Sequence, residues 1–298
     1  MTSALVPVGA VPLLGCDFSS SPTARKPIAQ AMGRLADGVV WLDGLEHFPS
    51  LPLWQQRLGQ GSWVGGFDLP FGLPRELIQA LGWPLDWLPC VRHYLALPRA
   101  ELRAYFKAFC AQRPVGGKWA HRATDRPAGS SPSMQWVNPP VAWMMHAGLP
   151  GLLAAGAAFP AHRHPGTVAT GHTRVALEAY PGLLARELLG GRTPYKSDDA
   201  ARQTPAHAQA RQHMLAALVA GRSRLGLALH LSPDHARAAV ADARGDTLDA
   251  VLALVQAAWC WQAQIRTQAA AGPGEPGGLA DWGMPPGVDP LEGWIATA

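Results

Sequence analysis

Charge is scarce in this chain: Asp, Glu, Lys and Arg make up 15% of the 298 residues, whereas 48% are hydrophobic. There is ample apolar surface for a core and no compositional basis for wholesale disorder. The net charge of +4 permits an acidic partner, nucleic acid included, but Lys and Arg form no block of the kind that marks a nucleic-acid-binding tail. Only four cysteines occur, Cys16, Cys90, Cys110 and Cys260, with no CxxC spacing. That argues against a zinc ribbon and a dense disulfide framework and favours a reduced, cytoplasmic setting. Pro or Gly interrupts every apolar stretch before it reaches the roughly 18 residues of a membrane-spanning helix, so no membrane partner is expected. Leu13-Leu14-Gly15-Cys16 resembles a lipoprotein processing site, yet no Lys or Arg precedes it and Pro7 and Pro12 break the run, so it reads as a buried strand. P-loop, RNP, helix-turn-helix and HExxH motifs are missing, and no internal repeat is visible.

What is present is a succession of short elements, punctuated by 28 prolines. Val11 to Phe18 is an apolar run ending in Asp17, followed by the turn-rich Ser19-Ser20-Ser21-Pro22. Val39 to Leu42 reads as a second strand, and Leu45 to Phe48 continues the pairing. A short helix follows over Leu51 to Leu58. Trp63 to Phe67 repeats the strand pattern and also ends in an acid, Asp68. From about 74 to 173 the signals are helical and loop-like, over Arg75–Leu81, Arg99–Gln112 and Val141–Gly156, which reads as an insertion or cap after the fourth strand. Its centre, Arg113 to Pro140, is polar and basic and reads as a mobile loop near a substrate. Arg174 to Leu177 is again a strand, ending in Glu178, and Tyr180-Pro181 opens a helix to Leu189. Helices start at Thr204-Pro205 and Ser232-Pro233. The last strong helix runs from Asp246 to about Gln268, with Asp246 and Asp249 on one side of it. The tail from Gly272 to Pro290 reads as irregular, with Trp282 and Trp294 packing back. The alternation of strands and helices describes an α/β protein, taken as a single domain over 1–298.

Three apolar strands thus end in an acid, at Asp17, Asp68 and Glu178, and a late helix presents Asp246 and Asp249. In an open α/β sheet ligands bind at the carboxyl ends of strands, so these five acids are candidates for one site. Clustered carboxylates repel one another unless they share protons or hold a hard cation, and Mg²⁺ or Mn²⁺ takes oxygen ligands of this kind. Metal-activated water attacking a phosphodiester is the chemistry such a cluster serves. Singly, each acid has a plainer account: Asp17 and Asp68 precede turns, Glu178 adjoins a helix start, Asp246 has the position of an N-cap, and Asp249 suits the helix dipole.

Gly15-Cys16-Asp17-Phe18-Ser19, Gly66-Phe67-Asp68-Leu69-Pro70-Phe71-Gly72, Leu177-Glu178-Ala179-Tyr180-Pro181, Tyr195-Lys196, Asp246-Thr247-Leu248-Asp249-Ala250 and Glu292-Gly293-Trp294-Ile295 occur in that order. Together they resemble the domain-of-unknown-function 429 family, regarded as nucleases of RNase H-like fold. The resemblance implies a mixed β-sheet flanked by helices, with Asp17 on its first strand and the late helix packed across it. It also implies a metal-dependent nuclease-like centre, and the convergence of strand-terminal acids names Asp17, Asp68, Glu178 and Asp249 as its metal ligands, with Asp246 as an auxiliary ligand or orienting group.

Lys196 is a candidate for contacting a phosphate or pairing with the acidic centre, and Arg122 for gripping substrate, against the plainer reading of solvated loop cations. His162, His164 and His172 lie in a Pro/Gly loop without recognisable ligand spacing and read as surface histidines. Trp119, Trp136 and Trp143 suit either base stacking or a core. Two other functions fit the same residues. One is an actin-like-fold nucleotide-binding ATPase, because Asp17-Phe18-Ser19-Ser20-Ser21 loosely resembles a phosphate loop. The other is a non-catalytic module that binds nucleic acid or protein through the basic insertion.

Overall fold

In the computed structural model, residues 11–167, 172–270 and 282–298 are described. The segment before Val11 and most of the Gly272–Pro290 tail lie outside them. A mixed sheet of six strands forms the centre: β1 (Leu13–Asp17), β2 (Ile28–Ala36), β3 (Val39–Phe48), β4 (Trp63–Phe67), β5 (Arg174–Glu178) and β6 (Ala228–His230). Their spatial order is β5-β4-β1-β2-β3-β6. β1 is parallel to β4, β4 to β5 and β3 to β6, while β2 runs antiparallel to both its neighbours. The carboxyl ends of β1, β4 and β5 therefore share one edge.

β2 has no counterpart in the sequence reading, because Ile28–Ala36 contains three alanines, a glycine and a glutamine and lacks β-branched alternation. It is a strand because it is paired on both sides. The turn into β3 did carry a signal: Asp37-Gly38 has positive φ at both residues, 50° and 74°, the two-residue hairpin geometry that Asp-Gly favours. β3 is one strand rather than two pieces. Met32 pairs with Gly44 and Gly33 with Leu42, so Asp43 is an extra, bulged residue where the hydrophobic pattern breaks.

The helices are α1 (Leu51–Leu58), α2 (Arg75–Ala80), α3 (Trp87–Ala96), α4 (Arg99–Ala111), α5 (Asp125–Ala128), α6 (Val141–Ala154), α7 (Pro181–Leu188), α8 (Pro205–Val219), α9 (Pro233–Ala241) and α10 (Asp246–Ala270). α2 to α6 all fall between β4 and β5. α3 was not anticipated because Pro89 looks like a breaker, yet it lies in the first turn, where its missing N–H removes no helical bond. Thr204 and Ser232 cap α8 and α9 through their hydroxyls, each with Pro next in line, as the sequence suggests.

Alternation along the strands divides the core in two. Leu14, Cys16, Phe18 and Phe67 face the insertion helices, packing with Trp54, Tyr94, Phe106 and Phe159. Leu13, Val64, Val175 and Leu177 face the other way, against α7, α8 and α10. α10 is buried almost all round over its first 13 residues, as befits a central helix. The chain after Trp282 packs back as expected: Trp282 stacks at 5.8 Å on Trp261, and Ala296 N donates to Glu178 O at 2.7 Å. The four cysteines are free and buried. Among the described residues no helix is long and apolar enough to cross a membrane.

Candidate active site

Two glycines bring the late helix onto the sheet. Gly15 of β1 and Gly66 of β4 are register partners. A Cβ on Gly15 would lie 2.1 Å from Ala250 O, and one on Gly66 would lie 2.6 Å from Ala253 O, so both strands touch the backbone of α10. Side chains alternate along a strand, so Asp17 and Asp68, each two residues further on, emerge on this same face. Asp68 still belongs to the ladder, its N–H donating to Cys16 O at 2.9 Å.

At the start of α10, Asp242 accepts from Thr247 N and Oγ1 at 2.8 and 2.9 Å and thereby does the capping. Asp246 is released from the N-cap role its position suggested. Asp249, one turn on, is buried. Its Oδ1 accepts from Tyr195 Oη at 2.7 Å and its Oδ2 from Lys196 Nζ. Arg211 fixes this loop by donating to Tyr195 O at 2.6 Å and Val240 O at 2.9 Å. Gly245, at φ +76°, leaves room for the Lys196 stem, since a Cβ there would lie 2.9 Å from Lys196 Cβ. Apart from the quoted motifs, nothing in the sequence singles out Tyr195, Arg211 or Asp242. The Asp-x-x-Gly spacing before an apolar run was the one usable sign of a cap.

Asp17, Asp68, Asp246, Asp249 and Lys196 thus form one electrostatic group. Burial first, and then the charges of Asp249, Asp68 and Asp246, push the Asp17 carboxyl well above its usual range, against the pull of Lys196. Burial and Asp249 push Asp68 up to about 7, again opposed by Lys196. Both side chains are half-buried and keep partial access to the cavity beside them. Asp246 is raised by burial and Asp242, with Lys196, Lys26 and Arg244 opposing. Desolvation works against the charge of Lys196, but Asp249, Tyr195 and Asp17 outweigh it and hold the ammonium charged. Lys196 is shared among these carboxylates, and burial with mutual repulsion makes Asp17 and Asp68 hold their protons more readily than free carboxyls do.

Glu178 faces the other way. Its register partner is Phe67, not Asp68. It therefore shares the face of Phe67, toward the insertion. There Arg122 grips it with two bonds, Nη2 to Oε1 at 2.6 Å and Nη1 to Oε2 at 2.7 Å, and Phe71 N donates to Oε2 at 3.0 Å. Arg122 gives its remaining hydrogens to Asp125 Oδ1, at 3.0 and 2.9 Å, and to Glu292 O at 3.3 Å. All five guanidinium hydrogens are used, and Arg122 is 2% exposed. Burial raises the Glu178 carboxyl, with Arg122 and the Phe71 amide opposing. Arg122 therefore has no donor left for a substrate phosphate. The centre of the segment read as a mobile loop is instead pinned in the core by this network. Glu292 extends it to the chain's end, accepting from Ala123 N at 2.8 Å and Arg75 N at 2.7 Å.

His162 corrects the surface reading of the loop histidines. It is buried and stacks on Trp87 with ring centroids 4.4 Å apart, and burial takes its imidazole down to about 3. Its neutral ring acts as an aromatic filler. His164 packs more loosely near Trp87 and His172 is exposed. Trp143 is buried beneath Arg99 and Arg103, and Trp119 packs edge-on against Trp136 at 4.6 Å, so these rings belong to the insertion's packing.

Asp17, Asp68 and Asp246 open into a cavity of about 610 Å³ at the strand ends, walled also by Ser19, Lys26, Tyr180, Arg244, Ser130, Pro140 and Met144 and reached by the Glu178–Arg122 pair. The fit to a divalent cation is partial. Asp17 and Asp68 offer hard oxygens that a cation would have to deprotonate, and Asp249 would join them only where Lys196 yields its place. Glu178 does not fit, because both its oxygens are bound to Arg122. Among the described residues, no three His, Cys, Asp or Glu side chains are already arranged as a ligand set. No family model, curated protein or solved structure matches this chain.

Proposed function

We propose that the protein is a metal-dependent phosphodiesterase acting on nucleic acid, on a single RNase H-like domain with an insertion at about 74–173. One observation carries this reading: Asp17, Asp68 and Asp246, from two adjacent parallel strands and a helix, line one cavity, with Asp249 buried one turn further along that helix. The sheet order, the single antiparallel strand β2 and the helix crossing β1 support the fold assignment.

Asp17 and Asp68 would hold Mg²⁺ or Mn²⁺, with Asp249 completing the set. The bound ion would supply a water acidified for attack and charge stabilisation at the phosphate. Asp246 orients groups at the rim. Tyr195 and Arg211 keep Asp249 and Lys196 aimed at the centre, and Lys196 meets a substrate phosphate once a divalent ion takes over the carboxylates. Glu178 and Arg122 are left out of the chemistry because they satisfy each other.

The test is cleavage of single-stranded, duplex and branched substrates with Mg²⁺ or Mn²⁺, expected for the wild type and lost in Asp17→Asn. Equal cleavage by Asp17→Asn overturns the assignment. Ser19 and Ser20 also line the cavity, which is the observation that favours an ATPase. Thermal stabilisation by ATP, without cleavage or binding of nucleic acid, would select that alternative.

A further inference from the structure

The cavity has two chemically different walls, and they come from opposite faces of the sheet. On the α10 side stand three cations. Lys196 touches Asp249, Lys26 bridges to Asp198 at 2.7 Å, and Arg244 lies 3.6 Å from Asp246 while donating to Arg25 O. On the insertion side Pro139, Pro140, Val141 and Met144, from the start of α6 and the chain before it, form an apolar stretch beside the polar Arg122, Ser130, Ser131 and Asn138. Val141 and Met144 are neither fully buried nor fully exposed, one turn apart on the helix face that meets the cavity. The acids lie between the two walls.

Size limits what enters. A cavity of about 610 Å³ is within the range that holds one small ligand. A single nucleotide detached from its stack is a ligand of that size. The polarity of the walls orients it, with the phosphate toward the cations and the base against the apolar wall.

We propose that the site takes single-stranded nucleic acid, one unpaired nucleotide at a time, with its phosphate beside Lys26 and Arg244 and its base on Pro140, Val141 and Met144. This rests on reading the cavity as a nucleic-acid site, but it concerns what enters rather than whether it is cut. The other source of the same ligand, a base flipped out of a duplex, is separated by the substrates used below.

Binding of the full chain is measured by fluorescence anisotropy in EDTA. The ligands are a single-stranded oligonucleotide, the same strand with abasic sites, and the blunt duplex. The expected order is single strand tightest, with the abasic strand and the duplex each at least about tenfold weaker. Met144→Ala weakens the base-bearing strand several-fold and leaves the abasic strand unchanged. Lys26→Ala weakens both strands alike and reduces the salt slope by about one. Duplex binding as tight as single-strand binding overturns the proposal, because it admits flipped or stacked bases equally. So does an abasic strand bound as tightly as the normal one by wild type, a measurement that needs no variant to fold. If the binding pattern holds and no cleavage follows addition of Mn²⁺, this inference stands and the hydrolase reading falls. If blunt duplex is bound and cleaved as readily as single strand, the hydrolase reading stands and this inference falls.

Discussion

Two groups of buried acids meet at the same edge of the sheet, a few residues apart along β4 and β5, and they are built on opposite plans. Toward the insertion, Glu178 and Asp125 share Arg122, whose every hydrogen has a partner. Toward α10, Asp17, Asp68, Asp246 and Asp249 share Lys196, and burial with mutual repulsion raises Asp17 and Asp68. A buried charge network holds a fold in register when it is closed, and it has capacity for chemistry when it is left open. The first group ties the insertion and the chain's end to β5. The second leaves Asp17 and Asp68 raised and half-open to a cavity.

The contrast is broken most strongly at Arg122. Arg122→Leu leaves Glu178 and Asp125 buried without a counter-charge and is expected to cost about 3–5 kcal/mol in urea unfolding. A loss below about 1 kcal/mol would remove its structural role. On the open side, Asp17→Asn is expected to lower cleavage about 10³-fold, near 4 kcal/mol of barrier, while the folded state is retained in circular dichroism. Lys196→Met strips the shared ammonium from Asp249 and is expected to cost about 1–2 kcal/mol at pH 8. Millimolar Mg²⁺ should then raise its melting temperature more than that of the wild type. Stabilisation by Mg²⁺ equal in the two proteins would show that ammonium and metal do not compete.

The smallest effect concerns pH. Asp68 has an ordinary value of 3.8 and is raised to about 7 in the folded state, so the native protein binds more protons than the unfolded chain across that window. Stability is therefore lost as pH rises from about 4 to 7, and the cost is complete above 7. Asp68→Asn removes it. The variant should exceed the wild type by on the order of 1–2 kcal/mol at pH 8, allowing for water in the cavity, with the difference shrinking toward pH 4. An equal difference at pH 5 and pH 8, measured by urea unfolding, would discount the raised value.

Much of this arrangement was legible in particular residues. The runs ending at Asp17, Asp68 and Glu178 are strands, Thr204 and Ser232 are helix caps, and Asp246 opens a long helix with Asp249 one turn on. β2 was not legible, because its alanine-rich segment takes its conformation from strands on both sides. Lys26 and Arg244 are single cations in loops, and only the fold places them on a common wall. His162 was misjudged because polar neighbours in the sequence say nothing of the Trp87 ring beneath it.

The sequence by itself determined that acids stand at three strand ends and on one face of a late helix, since those positions follow from local hydrophobic pattern. Which acids share a site was decided by register between strands more than 100 residues apart. Gly15, Gly66 and Leu177 lie level across the sheet, and the acids follow at two, two and one residues beyond. Because side chains alternate with a period of two, that single residue of difference turns Glu178 to Arg122 and leaves Asp17 and Asp68 with α10.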